Sequence, residues 1–239
     1  MLTAIPLLVS APVAAEESAA EDAALYDAGV RASGRGANAL LKNRATTGVV
    51  RTGGVADPLF KPGQILDELK AADGSAASVS FAFPESWALA KGPNLDVRSV
   101  STADSAFVLV APLPASARGD VSTLPASFFT ELLFAKDGKY GSYGGVESLV
   151  VTSDRTDVLK TPTGATQPYR RLAIKFSVLT YNQNTVERRS LLSATAVGGS
   201  VYLLSAGCIA SRFKTVSEQL ADCQQSFRAL ADRAARGPS

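Results

Sequence analysis

Two apolar-rich runs, "TVERRSLLSATAV" and "VYLLSAG", flank the pair Gly198-Gly199. Glycine reaches positive φ without the Cβ clash that other residues meet, so this pair suits a tight hairpin turn. Strands joined so closely must be antiparallel neighbours, because a parallel pair needs a crossover of a dozen or more residues. An antiparallel sheet is therefore the expected frame of the fold.

Other segments agree with that frame. In "SVSFAF" Phe81 and Phe83 alternate with Ser80 and Ala82, the period of a strand. Residues 105–113, "SAFVLVAPL", form a nearly continuous apolar run, as in a central strand covered on both faces. "VESLVVTS" (146–153) reads as a further strand. In "PYRRLAIKFSVLTY" Leu172, Ile174, Phe176 and Val178 alternate with Arg171, Ala173, Lys175 and Ser177, giving one apolar and one mixed face. After Ser122 and Thr123, "LPASFFTELLFA" predicts a helix with Pro125 in its first turn and Phe128, Leu132 and Leu133 on one side. The turn-rich "KDGKYGSYGG" follows as a loop.

The chain closes in a second helical pattern. Phe213, Val216, Leu220, Cys223, Phe227 and Leu230 recur at spacings of three and four. Thr215 and Glu218 have capping-box spacing, with a start one turn earlier at Ser211 as the alternative. Arg228, Arg233 and Arg236 suit the negative end of that helix. Cys208 falls in the strand-to-helix loop and Cys223 two to three turns into the helix, on the order of 12–18 Å along the axis. That exceeds the ~7 Å limit for bridged Cα atoms, so Cys223 is expected to be a free core thiol. The resulting fold class is α+β, an antiparallel sheet sandwiched by helices.

Residues 1–75 differ in kind from residues 76–239. Leu2 to Ala15 is an apolar run too short for a bilayer span of ~20 residues, with Val13 and Ala15 at small-residue positions of a cleavage site. It predicts the end of a lumenal targeting segment or a short apolar anchor. Residues 16–75 are expected to form an extended, charged docking arm. Residues 16–27 carry five carboxylates, whereas residues 31–61 carry Arg31, Arg35, Lys42, Arg44, Arg51 and Lys61 against Asp57 alone. Those six cations are the candidate partner-binding residues, attracted to an acidic face. Residues 76–231 form the expected α+β domain, and residues 232–239 a basic tail. Trp87, after the Phe83-Pro84 break, is read as core packed at a sheet edge, and the break as a domain boundary.

Several function classes recede. The chain has no histidine, which removes Ser-His and Cys-His nucleophile pairs and His-bearing zinc sites. A net charge of +2 is far from the concentrated basic face of a nucleic-acid binder. Gly34, Gly36 and Ala39 match a dinucleotide fingerprint but lack the strand before them that its geometry needs. Glu85, Asp96, Asp104 and Asp120 are oxygen donors at strand ends and loops, without the spacing of a calcium loop, and are read as solvated surface. No catalytic, cofactor or metal residue is assigned, and a non-enzyme is expected. Fold alone cannot decide function.

"SVSFAFPESWALAKG" resembles the opening of the PsbP domain, where a strand ends at an aromatic-Pro and a Trp follows. The stretch from Tyr169 to Phe227 resembles that domain's end. Its matching elements are the Gly198-Gly199 hairpin, the Ser205-Ala206-Gly207 turn, Arg212-Phe213 and the closing Ser226-Phe227. The similarity covers about residues 76–230. It implies a divergent member of a family of thylakoid-lumen proteins whose fold is an antiparallel sheet between helices. The founding member is an extrinsic subunit of photosystem II that helps retain calcium and chloride at the manganese cluster. The resemblance thus implies a peripheral subunit or assembly factor on lumenal core proteins of a photosystem, with photosystem II preferred. Photosystem I, the NADH-dehydrogenase-like complex and a Mog1-like protein-binding adaptor are the alternatives. An enzyme using carboxylates alone is a third class.

Overall fold

The computed structural model describes residues 50–51, 59–61, 63–90, 95–117, 119–135, 138–141, 146–179 and 184–231. These described residues build two antiparallel sheets. The larger has seven strands: β5 (Trp87–Leu89), β6 (Asp96–Ser99), β7 (Ser105–Pro112), β8 (Val146–Lys160), β9 (Thr166–Leu179), β10 (Thr185–Val197) and β11 (Ser200–Ile209). Their order in space is β5-β6-β7-β11-β10-β9-β8. The smaller sheet runs β1-β3-β4-β12, from β1 (Val50–Arg51), β3 (Gln64–Lys70), β4 (Ala76–Ala82) and β12 (Arg228–Ala231). The short β2 (Leu59–Lys61) also pairs with β3. Two α-helices lie among the described residues, α1 (Ala126–Phe134) and α2 (Phe213–Ser226).

The glycine hairpin forms as its sequence requires. Val197 pairs with Ser200, and Gly198 takes φ +60°, the positive value that a type II′ turn needs at its first central residue. From there β10 and β11 pair without interruption back to Arg188 and Ile209. β11 lies between β7 and β10, so both of its edges are paired, and its side chains alternate between two cores that cover its two faces.

Toward the smaller sheet, Tyr202, Leu204, Ala206 and Cys208 join Val108 and Val110 of β7. They pack against Ile65, Leu69, Val79 and Phe81 of the smaller sheet and Val216, Leu220 and Cys223 of α2. On the opposite face, Val201 and Leu203 join Phe107, Leu172, Ile174, Phe176 and Leu192 under Phe129 and Leu133 of α1. The expected sandwich is thus modified. One face of the central sheet carries α1 and loops, and the other carries a second sheet together with α2.

Several expectations change in detail. Residues 64–70, assigned to the arm, are a strand whose Ile65 and Leu69 are fully buried. The Phe83-Pro84 break does not open the folded body. It marks the passage from β4 in one sheet to β5 in the other, where Trp87 is buried. Helix α1 buries Phe129 and Leu133, with Phe128 and Leu132 half-covered. Helix α2 starts at Phe213 after a 3-10 turn over Ala210–Arg212, so Thr215 and Glu218 lie inside it and cap nothing. It ends at Ser226, and Phe227 and Leu230 leave the helical stripe for the junction and β12. Cys208 is the penultimate residue of β11, and both cysteines are buried free thiols. Burial pushes Cys208 up to about 11 and Cys223 up to about 12.

Candidate functional site

At one end of the central sheet β7 and β10 begin and β6 and β11 end. Asp96 opens β6, opposite Phe107, and Arg98 follows on the same face of the strand. Arg98 donates to Asp96 Oδ2 through Nη2 at 2.6 Å and Nε at 3.1 Å. Lys139 Nζ donates to the same oxygen at 2.8 Å. Asp96 Oδ1 is buried and meets no donor among the described residues.

Lys139 reaches Asp96 because its loop lies hard against the end of α1. The Gly138 and Tyr140 N–H groups donate to the carbonyls of Ala135 and Leu133. A Cβ at Gly138 or Gly141 would overlap those last-turn carbonyls, so glycine on either side of Lys139-Tyr140 permits the approach. The ammonium then sits 5.0 Å from the Phe107 ring centre. Tyr140 enters an aromatic cluster, with Phe107, Phe134 and Phe176 at centroid distances of 5.8, 5.5 and 4.9 Å. The Arg188 guanidinium lies 6.0 Å from the Tyr140 ring centre and donates to the Ala103 carbonyl.

A second acid is buried on the neighbouring strand connection. Asp104 Oδ2 accepts from Arg212 Nη2 at 2.9 Å and Nε at 3.1 Å. Arg212 closes the 3-10 turn that leads into α2, and the Arg189 guanidinium covers the Phe213 ring at 4.8 Å. The two carboxylates are 4% and 2% exposed, whereas Arg98 and Arg212 are 34% and 36% exposed at their side chains. Acids therefore point inward and cations form the rim. Burial alone would raise Asp96, but the charges of Lys139 and Arg98 and their hydrogen bonds outweigh it and hold the carboxyl below its usual value. An acid held ionised this way is a weak general base. What the rim can do is bind negatively charged groups.

The candidates read from sequence fall elsewhere. Arg31, Arg35, Lys42 and Arg44 lie outside the described residues, as do Gly34, Gly36 and Ala39. Arg51 and Lys61 fall in β1 and β2, alongside β3, and not in an independent arm. Asp96 and Asp104 were expected at the solvated surface and are among the most buried polar residues. Asp120 caps the 3-10 turn Val121–Thr123 through Ser122 N–H at 2.7 Å, and Glu85 is exposed. Among the described residues no three His, Cys, Asp or Glu side chains gather in a metal-binding group. The GKYG sequence was a signal for Lys139, since flanking glycines mark close backbone approach. Nothing local pointed to its pairing with Asp96, 43 positions away.

At the other end of the sheet, a shallow cleft of about 300 Å³ lies between the β8–β9 turn and β12, lined by Lys160, Gln167, Tyr169 and Arg228 among others. Its polar groups serve the fold. Gln167 Nε2 donates to Thr195 Oγ1, Ala196 O and Ala229 O, and Arg228 Nη1 to the Gln225 and Phe227 carbonyls.

No family model and no curated protein matches the sequence. Among solved structures, the chain is similar to the solution structure of cyanobacterial PsbP (CyanoP) from Synechocystis sp. PCC 6803. The TM-score is 0.44 at 16% identity, over 74% of this chain and 98% of that one. The likeness is a distant one.

Proposed function

We propose that the protein is a non-enzymatic subunit or assembly factor that docks on the lumenal face of a photosynthetic membrane complex, photosystem II in the first place. The reading rests on the PsbP-like pattern of residues 76–230, from the aromatic-Pro-x-x-Trp opening to the closing Ser226-Phe227. One structural observation supports this reading. The partly exposed Arg98 and Arg212 lie at one end of the central sheet while their carboxylate partners are turned inward. Such a rim attracts an acidic protein face, and the attraction is screened as ionic strength rises, with a Debye length of about 8 Å at physiological salt. The basic residues of 31–61 would add to it.

The test is a salt wash of thylakoids opened to the lumenal side, with native-gel fractions probed for the protein. It should co-migrate with photosystem II at low salt and leave it at moderate salt. A protein absent from thylakoids, or one whose release is indifferent to salt, counts against this function.

A further inference from the structure

Among the described residues, strand β8 closes one edge of the central sheet and pairs only with β9. Its exposed apolar residues include Val150 and Val158, at 53% and 65%. An open edge of this length is a template for another strand unless something blocks it. The first half is blocked. Register shifts fall between Glu147 and Val150 and between Val151 and Ser153, and Ser148 takes φ 53°. Such bulges twist an edge away from partners. From Ser153 to Lys160 the pairing with β9 is unbroken.

The direction of the free backbone groups follows from the hairpin. Thr161 N–H donates to the Ala165 carbonyl, so 161/165 is a hydrogen-bonded pair. Bonding alternates along an antiparallel ladder. Residues 153, 155, 157 and 159 therefore bond to β9, and residues 154, 156, 158 and 160 aim N–H and C=O outward.

We propose that this half of β8 pairs with itself across a two-fold axis at Thr156, joining two copies of the chain edge to edge. A symmetric antiparallel pair sets one residue against its own copy, and the charges choose which. Centring on Asp154, Arg155 or Asp157 places a like charge against itself. Centring on Val158 pairs no charges at all, and centring on Ser153 runs into the bulges. Centring on Thr156 sets Arg155 opposite Asp157 of the second copy, twice, and Thr156 opposite Thr156, both favourable cross-strand pairs. Arg155 is 57% exposed and its nearest acid is Asp157 Oδ1, 3.8 Å away in its own chain. Asp157 commits Oδ2 to Arg171, and its side chain is 36% exposed. The two seven-stranded sheets would then run on as one. This association does not depend on the function proposed above.

Sedimentation velocity of the full chain from about 1 µM to about 1 mM spans the range in which so small an interface dimerises. The expected result is a monomer–dimer equilibrium that Arg155→Glu weakens at least tenfold, because two attractions become two repulsions. Thr156→Cys should form a disulfide-linked dimer on mild oxidation, since opposed Cα atoms lie about 5.5 Å apart in a hydrogen-bonded pair. Val158→Cys should not, because each copy then faces Asp154. A monomer throughout that range, a dimer unmoved by Arg155→Glu, or equal cross-linking through both cysteines would each overturn the proposal.

Discussion

Asp96 lies buried opposite Phe107 with two cations on one oxygen and no donor among the described residues on the other. A buried carboxylate costs several kcal/mol in lost hydration, and only its partners offset that. Asp96→Asn keeps the shape and removes the charge that Lys139 and Arg98 face. We expect a loss of about 3 kcal/mol in urea unfolding at neutral pH, the low end for a broken buried pair. The pH dependence has a definite sign. The folded carboxyl titrates below its usual 3.8, so its contribution is fully present above about pH 4. It fades as pH falls through the lower folded value. The gap between wild type and variant should therefore be flat from about pH 5 to 8 and shrink in acid. A gap that grows below pH 4 would mean that Asp96 is not held as an anion.

Helix α2 is secured to the central sheet by polar contacts at its last turn as well as by its apolar stripe. Gln224 Nε2 donates to the carbonyls of Leu172 and Leu192, paired residues on β9 and β10. Arg171, buried on β9, donates to the Gln224 and Gln225 carbonyls, which a helix end leaves without partners. Ser226 Oγ donates to the Asp222 carbonyl and accepts from Ala82 N–H, tying the helix to β4. Gln224→Leu fills similar volume but removes both donors to the sheet. It should cost about 2 kcal/mol, within the range for buried groups that lose a hydrogen-bond partner. Thermal unfolding followed by circular dichroism would show it, and an unchanged midpoint would reduce the Gln224 bonds to incidental ones.

For the whole molecule, the decisive feature is that one core spans both sheets. Ile65 and Leu69 of β3 lie in the same cluster as Tyr202 and Leu204 of β11. A chain begun at residue 76 loses β3 and uncovers that cluster. Fully burying an aliphatic side chain contributes about 1.5–3 kcal/mol, so two such losses, about 3–6 kcal/mol, reach the lower end of the 5–15 kcal/mol that holds a typical domain. The 76–239 fragment should unfold without a cooperative transition, whereas 63–239 should keep one. Equal cooperativity of the two would show that β3 is dispensable.

The local signals were strong where structure is local. Alternation of period two identified β4 and β9, a continuous apolar run identified β7, and the Gly198-Gly199 turn joined the runs that became β10 and β11, because pleat and turn geometry depend on a few consecutive residues. Helix existence was legible for the same reason. The stripe Val216, Leu220 and Cys223 of α2 was legible too, but the burying face of α1 and the ends of α2 were not, since α2 stops where Arg171 of a distant strand meets its carbonyls. Partner choice between strands was beyond local reading as well. Nothing in "QILDELK" distinguishes a strand of the smaller sheet from an arm, and nothing in "DVLK" tells that β8 runs on to Lys160 as an edge. The charged end of the central sheet was hidden most completely. Asp96, Asp104, Lys139 and Arg212 come from separate segments, and only the packing of sheet, loop and helix brings each acid to its cation and turns the acids away from water. Sequence alone determined strands, hairpin and the antiparallel frame, because these follow from short-range geometry. Tertiary structure alone decided burial, sheet membership and charge pairing, because those depend on what packs across from each residue.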